Sequence, residues 1–536
     1  MIGLYLLTAC GPDGVPSAGA TRFTLHLVPV VPFNESPFEG SDRTELRVEA
    51  PGVEAQVYDL GAMASGDTSL ATGLGELSEA TLTITAWRGS DEVARGVAGP
   101  VSVSDGDHEL RVLVARLGAV GWLSPLPGTV YRPGFASLGD GRFVAMGGVQ
   151  PNANGELNRE TEEIYTLQLS PPDEALAFEE VGTLPEWVDY NGQSHRGRFG
   201  FDLQRITTVG DDLGKLILAG GSAASGLSAP TTVTAGVYLY APETGEWELL
   251  RDRDSLRYPR SGYVSSVNSQ GGVVYWGGWG ATDSNREVSF IRNAELYDPV
   301  NRAFTDLGQD NQLGHVDAAI TDLGADGTLI CGGGWLGDSD NDGLVDWVAS
   351  DACARVGLNG SLQDAHDLPE PRVGMAMVTL DDGRVLLAGG ADNERSGASQ
   401  IPAVPNDANS EVAASDAVWL YNPDNDAWSE AGTLALARAG HRMTLLPDGT
   451  VLVVGGATGY LMEGIPSTPV SCVEVFDPAT GTSRMLDSCT AGDDAGGLAG
   501  RAWQPSLASD PTFGILVAGG GAASDAAQDA VSLYVP

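Results

Sequence analysis

The chain of 536 residues is too long for one ordinary core, and its formal charge of -43 comes from 72 acidic and 29 basic side chains, with Lys215 the only lysine. A surface of that sign repels phosphate backbones and anionic headgroups, which argues against a nucleic-acid partner; the acids are dispersed, as on a solvated surface, and form no tail. With 72 glycines, 30 prolines and apolar residues in runs of a few, the composition predicts many short strands and turns, and no apolar run approaches the ~18 residues of a membrane span.

In chain order, Leu7-Thr8-Ala9-Cys10 comes first and resembles the bacterial lipobox, which implies lipidation of Cys10. Only nine residues precede Cys10 and none is Lys or Arg, as if translation began upstream of Met1; a chance cysteine is the alternative. Residues 1–18 read as a lipoprotein signal remnant and tether. Residues 19–118 alternate apolar and polar positions in TRFTLHLV, TELRVEA, AQVYDL, ATLTITAWR, EVARGVAG and HELRVLVAR, which predicts a small β-sandwich of immunoglobulin-like or transthyretin-like shape.

From residue 119 onward the chain repeats itself. A short apolar strand ends in Gly-Gly seven times, with first glycines at Gly147, Gly220, Gly277, Gly332, Gly389, Gly455 and Gly519, spaced 55 to 73 residues apart. Some 13 to 20 residues before each lies a variant of Arg-x-Gly followed by an aromatic, His or Met: Arg132-Pro-Gly134, Arg198-Phe-Gly200, Arg260-Ser-Gly262, Arg372-Val-Gly374 and Arg438-Ala-Gly440. Gly314-His315 keeps half of the pattern and Arg501-Ala-Trp503 is the most degenerate. Alternating strands that end in an aromatic follow most diglycines, as in VYLYAPETGEW and VWLYNPDNDAW.

Three elements recurring in order resemble the kelch repeat over residues 119–536. That resemblance implies an all-β fold, a seven-bladed β-propeller of four-stranded blades, behind the sandwich. The glycines then allow backbone to pass closely between blades, while arginines and aromatics fill the wedges. The chain stops at Pro536 just after a third strand, so the segment 119–128, whose Trp122 matches Trp247 and Trp428 of fourth strands, is expected to complete the last blade.

Five cysteines remain to be placed, and Cys10 is the odd one. Cys472 and Cys489 flank the turn Pro-Ala-Thr-Gly-Thr symmetrically, as a cross-strand disulfide would. Cys331 and Cys353 are symmetric about Asp342, as are Asp338 and Asp346, so a second disulfide is expected near the base of the blade-four hairpin. Two pairs fit an exported protein; four free buried thiols are the alternative. At the hairpin tip, Asp338, Asp340, Asp342, the Leu344 carbonyl and Asp346 occupy calcium-loop positions 1, 3, 5, 7 and 9, with Gly343 at the turn. Ala349 stands at position 12, where a helix-loop-helix site needs Glu, so a structural calcium in a strand-loop-strand setting is expected, against a merely solvated acidic tip.

Catalytic signatures are scarce: there is no G-x-S-x-G, and neither His108-Glu109 nor Gly214-Lys215 extends into a known motif. Some propellers resembling the kelch type are copper radical oxidases with Tyr and His ligands; here His315 and His441 both begin inner strands on one rim. The long connections between second and third strands, notably 149–162, the acidic loop and 391–416, share that rim. The leading expectation is therefore a non-catalytic, lipid-anchored protein of the outer membrane, periplasm-facing or surface-facing, touching the membrane through its anchor only, whose long-loop rim binds a protein or glycan. A carbohydrate-active enzyme, either a copper oxidase or a sugar isomerase, is the alternative, and an envelope spacer a third.

Overall fold

The computed structural model describes residues 21–30, 36–63, 68–72, 77–104, 106–151, 157–170, 176–189, 192–207, 210–223, 232–250, 255–281, 288–337, 346–392, 412–460, 468–486, 498–499, 502–522, 526–527 and 529–536. Among them there is no α-helix, and no helix long and apolar enough to cross a membrane.

Alternation in the first hundred residues produces β1 (Thr21–Val30), β2 (Arg43–Ala50), β3 (Val53–Gly61), β4 (Thr68–Thr72), β5 (Leu77–Arg88), β6 (Asp91–Val103) and β7 (Asp107–Arg116). They form one continuous sheet in the order β3-β2-β5-β6-β7-β1-β4, with β1 and β7 parallel. One face carries Phe23, Leu25, Leu46, Leu82, Ile84 and Val112, all fully buried. That face is the core of this part of the chain. On the other face, Val30, Leu113 and Ala115 join Leu123, Phe143 and Leu533 in a core shared with the remainder of the chain. A hydroxyl stitches the two parts as well: Ser170 Oγ accepts from Gly99 N and donates to Gly99 O, both at 2.9 Å.

Among the described residues from 119 onward, the strands form seven four-stranded antiparallel sheets, with short two- or three-stranded sheets beside them in the connections. Their innermost strands are Gly134–Ser137, Leu203–Arg205, Val264–Val267, Ala319–Asp322, Ala376–Thr379, Arg442–Leu445 and Ser506–Asp510. Diglycine strands come second, aromatic-ended strands third. In the seventh sheet the outer position is taken by β8 (Ala119–Trp122), paired antiparallel with Val531–Val535. The residue facing Tyr534 there is Val120, whereas Trp247 faces Tyr240 and Trp428 faces Tyr421. The closing strand is thus the expected one, but Val120 fills the position expected of Trp122, because β8 enters two residues out of the predicted register.

The diglycines bind one sheet to the next. The second glycine donates its N–H to a carbonyl at the head of the following sheet: Gly148 to Arg198, Gly221 to Arg260, Gly278 to His315, Gly333 to Arg372, Gly390 to Arg438 and Gly456 to Ala502, at 2.6 to 2.9 Å. A Cβ built on Gly519 would lie 2.9 Å from the Val130 carbonyl, which returns the seventh sheet to the first. Ser506 Oγ donating to Pro133 O at 2.7 Å closes the same seam. Both glycines of each pair have φ between +59 and +107, a region that side chains enter at a cost.

The arginines at these heads are buried, and three of them reach back to their own diglycines. Arg198, Arg260 and Arg438 donate Nη1 to the carbonyls of Gly220, Gly277 and Gly455 at 3.1, 3.2 and 2.8 Å. Arg260 and Arg438 are neutralised by Glu295 and Glu474, fully buried on the third strands. Arg198 has Tyr238 in that place instead, its guanidinium 4.7 Å from the ring centroid, so a cation–π contact replaces the ion pair.

Candidate functional site

The disulfide Cys331–Cys353 is present, joining directly opposed residues of the second and third strands of the fourth sheet. Beyond it the hairpin continues as Gly334–Gly337 against Asp346–Ala349. There the register differs from expectation: Asp346 faces Gly337, not Asp338. The extra residue sits at 350–352, where Ser350 N bonds Gly333 O and Ala352 O accepts from Gly332 N while the diglycine leans toward the next sheet. Asp338, Asp340, Asp342 and Leu344 lie outside the described residues, as do Cys10 and Cys489. Cys472 is buried and disulfide-bonded.

The pairing between sheets also realigns the Arg-x-Gly motif. Tyr131, Phe199, Ser261, Val316, Val373, Ala439 and Trp503 make equivalent bridges next to the diglycines. The next residue in each case is Arg132, Gly200, Gly262, Asp317, Gly374, Gly440 or Gln504, and all seven have φ between +48 and +67. Arg132 therefore occupies the glycine position of its blade, not the arginine position, which is held by Val130. His315 stands at the arginine position of the fourth sheet, and Ala502 at that of the seventh. The constant spacing of 17 residues from this head position to the first glycine, kept in every sheet but the second, is the signal that the motif match overrode.

Those left-handed positions ring the axis and head a cavity of about 260 Å³. Its charged lining is Arg132, Asp202, Asp317 and Arg442, from four different sheets. Asp317 accepts from Tyr460 Oη at 2.8 Å and from Gln504 Nε2 at 3.2 Å; Gln504 Oε1 in turn accepts from Tyr131 Oη at 2.7 Å. Burial raises the pKa of Tyr131 to about 12 and holds that of Tyr460 well above its ordinary value, so both phenols stay protonated and donate. Tyr131 and Trp503, just upstream of inner strands, and Tyr460, from the sixth sheet's second-to-third connection, belong to one buried cluster. Asp202 accepts from Ser265 N and Oγ at 3.0 and 3.1 Å, and burial raises its pKa.

The two histidines do not share this cavity as a pair. His315 packs against Gly277 and Phe290, in the wedge between the third and fourth sheets; His441 packs against Gly389, between the fifth and sixth, and also lines the cavity. Burial lowers both pKa values, that of His315 to about 4, so both rings are neutral at pH 7. Among the described residues no group of three or more His, Cys, Asp or Glu could hold a metal ion.

No family model matches the sequence. A stretch of 79 residues is 34% identical to Kelch-like protein 25 of Xenopus tropicalis, covering 14% of this chain and 13% of that protein. Among solved structures, that of YjhT has 18% identity and a TM-score of 0.43, covering 66% of this chain and 99% of its own. A fungal alcohol oxidase of the AA5 family, in complex with copper, has 16% identity and a TM-score of 0.47, covering 78% and 76%. With the diglycines bonded to the head of the following four-stranded sheet, this chain has the fold of a β-propeller whose repeats resemble those of the kelch type.

Proposed function

We propose that this propeller is a non-catalytic binding module, exported and lipid-anchored through Cys10, that holds a protein or glycan on the rim carrying its second-to-third strand connections. The observation that carries the reading is the Cys331–Cys353 bond at the base of the blade-four hairpin. A covalent clamp there stiffens the stem of an acidic tip, and such bonds persist in oxidising compartments. Calcium between Asp338, Asp340, Asp342, the Leu344 carbonyl and Asp346 would supply the remaining rigidity.

An oxidase or sugar isomerase is the second reading, favoured by the ring nitrogens of His315 and His441, which are buried without hydrogen-bond partners among the described residues. Their separate wedges weigh against a common metal site. The test is metal analysis of the purified full chain with a glycan array run with and without chelator. Calcium and chelator-sensitive binding, reduced in Asp340→Asn, support the binding module; stoichiometric copper with alcohol or sugar turnover overturns it.

A further inference from the structure

We infer that the axial cavity binds a small anion, a carboxylate or a tetrahedral oxyanion, between the guanidinium groups of Arg132 and Arg442. The first support is a comparison the molecule makes with itself. Seven equivalent positions share a left-handed backbone, and four use glycine, the residue that suits it. Arg132 holds that conformation at φ +50 with a long side chain, so its strain is kept at a site where the side chain lines the cavity.

The second support is partnership. Asp317 and Gln504, at the same position in other sheets, are hydrogen-bonded, and Asp202 is satisfied by Ser265. Arg132 and Arg442 make no hydrogen bond or salt bridge with any described residue. Both arginines line the same cavity, where the charge of Arg132 disfavours that of Arg442 while Asp202 and Asp317 favour both. The carboxylates of the cavity accept hydrogen bonds from other donors, and the two arginines line a space of about 260 Å³, enough for several water-sized groups. An anion placed there would supply acceptors for both guanidinium groups.

The site lies beneath the rim of second-to-third connections, which reaches it through Tyr460, but it does not depend on what that rim binds, so its failure would leave the rim reading untouched. The experiment uses the full chain and calorimetric titration with inorganic phosphate and, separately, lactate, at constant ionic strength. The variants are Arg132→Gly and Arg442→Ala, each supplying what equivalent sheets already carry, Gly200 in one case and Ala319 or Ala376 in the other. Saturable binding of at least one anion is expected, weakened about tenfold or more in each variant. Arg132→Gly should melt no lower than the parent without ligand, because it relieves the left-handed strain. Preference for phosphate or lactate identifies the head group. Equal affinity in parent and variants, or no saturable binding of either anion at millimolar concentration, overturns the inference.

Discussion

Substituting Gly220 by alanine isolates the contact that holds consecutive sheets together. A Cβ there would lie 2.5 Å from the Arg260 carbonyl oxygen, with Leu256 Cδ1 at 3.2 Å and Thr234 O at 3.4 Å. The left-handed φ of +64 alone costs about 1–2 kcal/mol for alanine. Relief of the overlap requires the sheets to part by several tenths of an ångström, which costs about 1–3 kcal/mol as overpacking. The neighbouring bond from Gly221 N to the same carbonyl, 2.8 Å long, is weakened by about 1 kcal/mol. Gly220→Ala should therefore lose about 3–6 kcal/mol. Gly245→Ala is the control: its φ is +71, but nothing lies within 4 Å of its Cβ, so only the backbone cost of about 1–2 kcal/mol remains. Guanidinium unfolding followed by tryptophan fluorescence, with parent and both variants side by side, measures the difference. Equal destabilisation by the two substitutions would refute the idea that close approach between sheets is what demands glycine at the diglycines.

Two further outcomes follow from the buried charges. Glu474→Gln removes the counter-charge of fully buried Arg438 and should destabilise by about 3–5 kcal/mol, whereas Arg438→Met with Glu474→Leu should recover most of the loss; a single-variant cost under about 1 kcal/mol in chemical unfolding would show that the pair is not what neutralises the arginine. His315 is depressed to about 4 from 6.5 by burial, so the unfolded chain takes up its proton first as pH falls. Stability from this group is complete above about pH 6.5 and is lost towards pH 4, by up to about 3 kcal/mol, with His441 adding loss in the same direction. His315→Gln should flatten melting temperature against pH across that window, and an unchanged slope would assign the acid sensitivity to other groups.

The recurring elements of the fold were legible because each answers a local steric demand that only a few residues meet. Gly-Gly at a sheet-to-sheet crossing and an aromatic closing the third strand are visible without knowing what they touch, and the pairing of β8 follows from a missing fourth strand. The axial site was not legible in the same way. Arg132-Pro-Gly134 satisfies the motif as letters, but hydrogen bonding counts residues from the diglycine and puts Arg132 where Gly200 and Gly374 stand. Asp317 and Gln504 escaped notice for the same reason, since each replaces the glycine by which the motif is recognised. The register of the blade-four hairpin was missed because symmetry about Asp342 assumes a regular ladder, and the residue added at 350–352 breaks it beyond Cys331 and Cys353.

The strand β8 is made more than four hundred residues before the Val531–Val535 segment that it completes. During synthesis it must wait, with one edge unsatisfied, while six sheets form behind it, and the toroid shuts only when that segment arrives. Since the leading sheet leads directly through Leu117 into this seam, where Leu117 bridges Val535, the same event docks the two halves of the molecule. Loss of Val531–Val535 would therefore release both the ring and its appended sheet, a penalty far larger than the number of atoms removed.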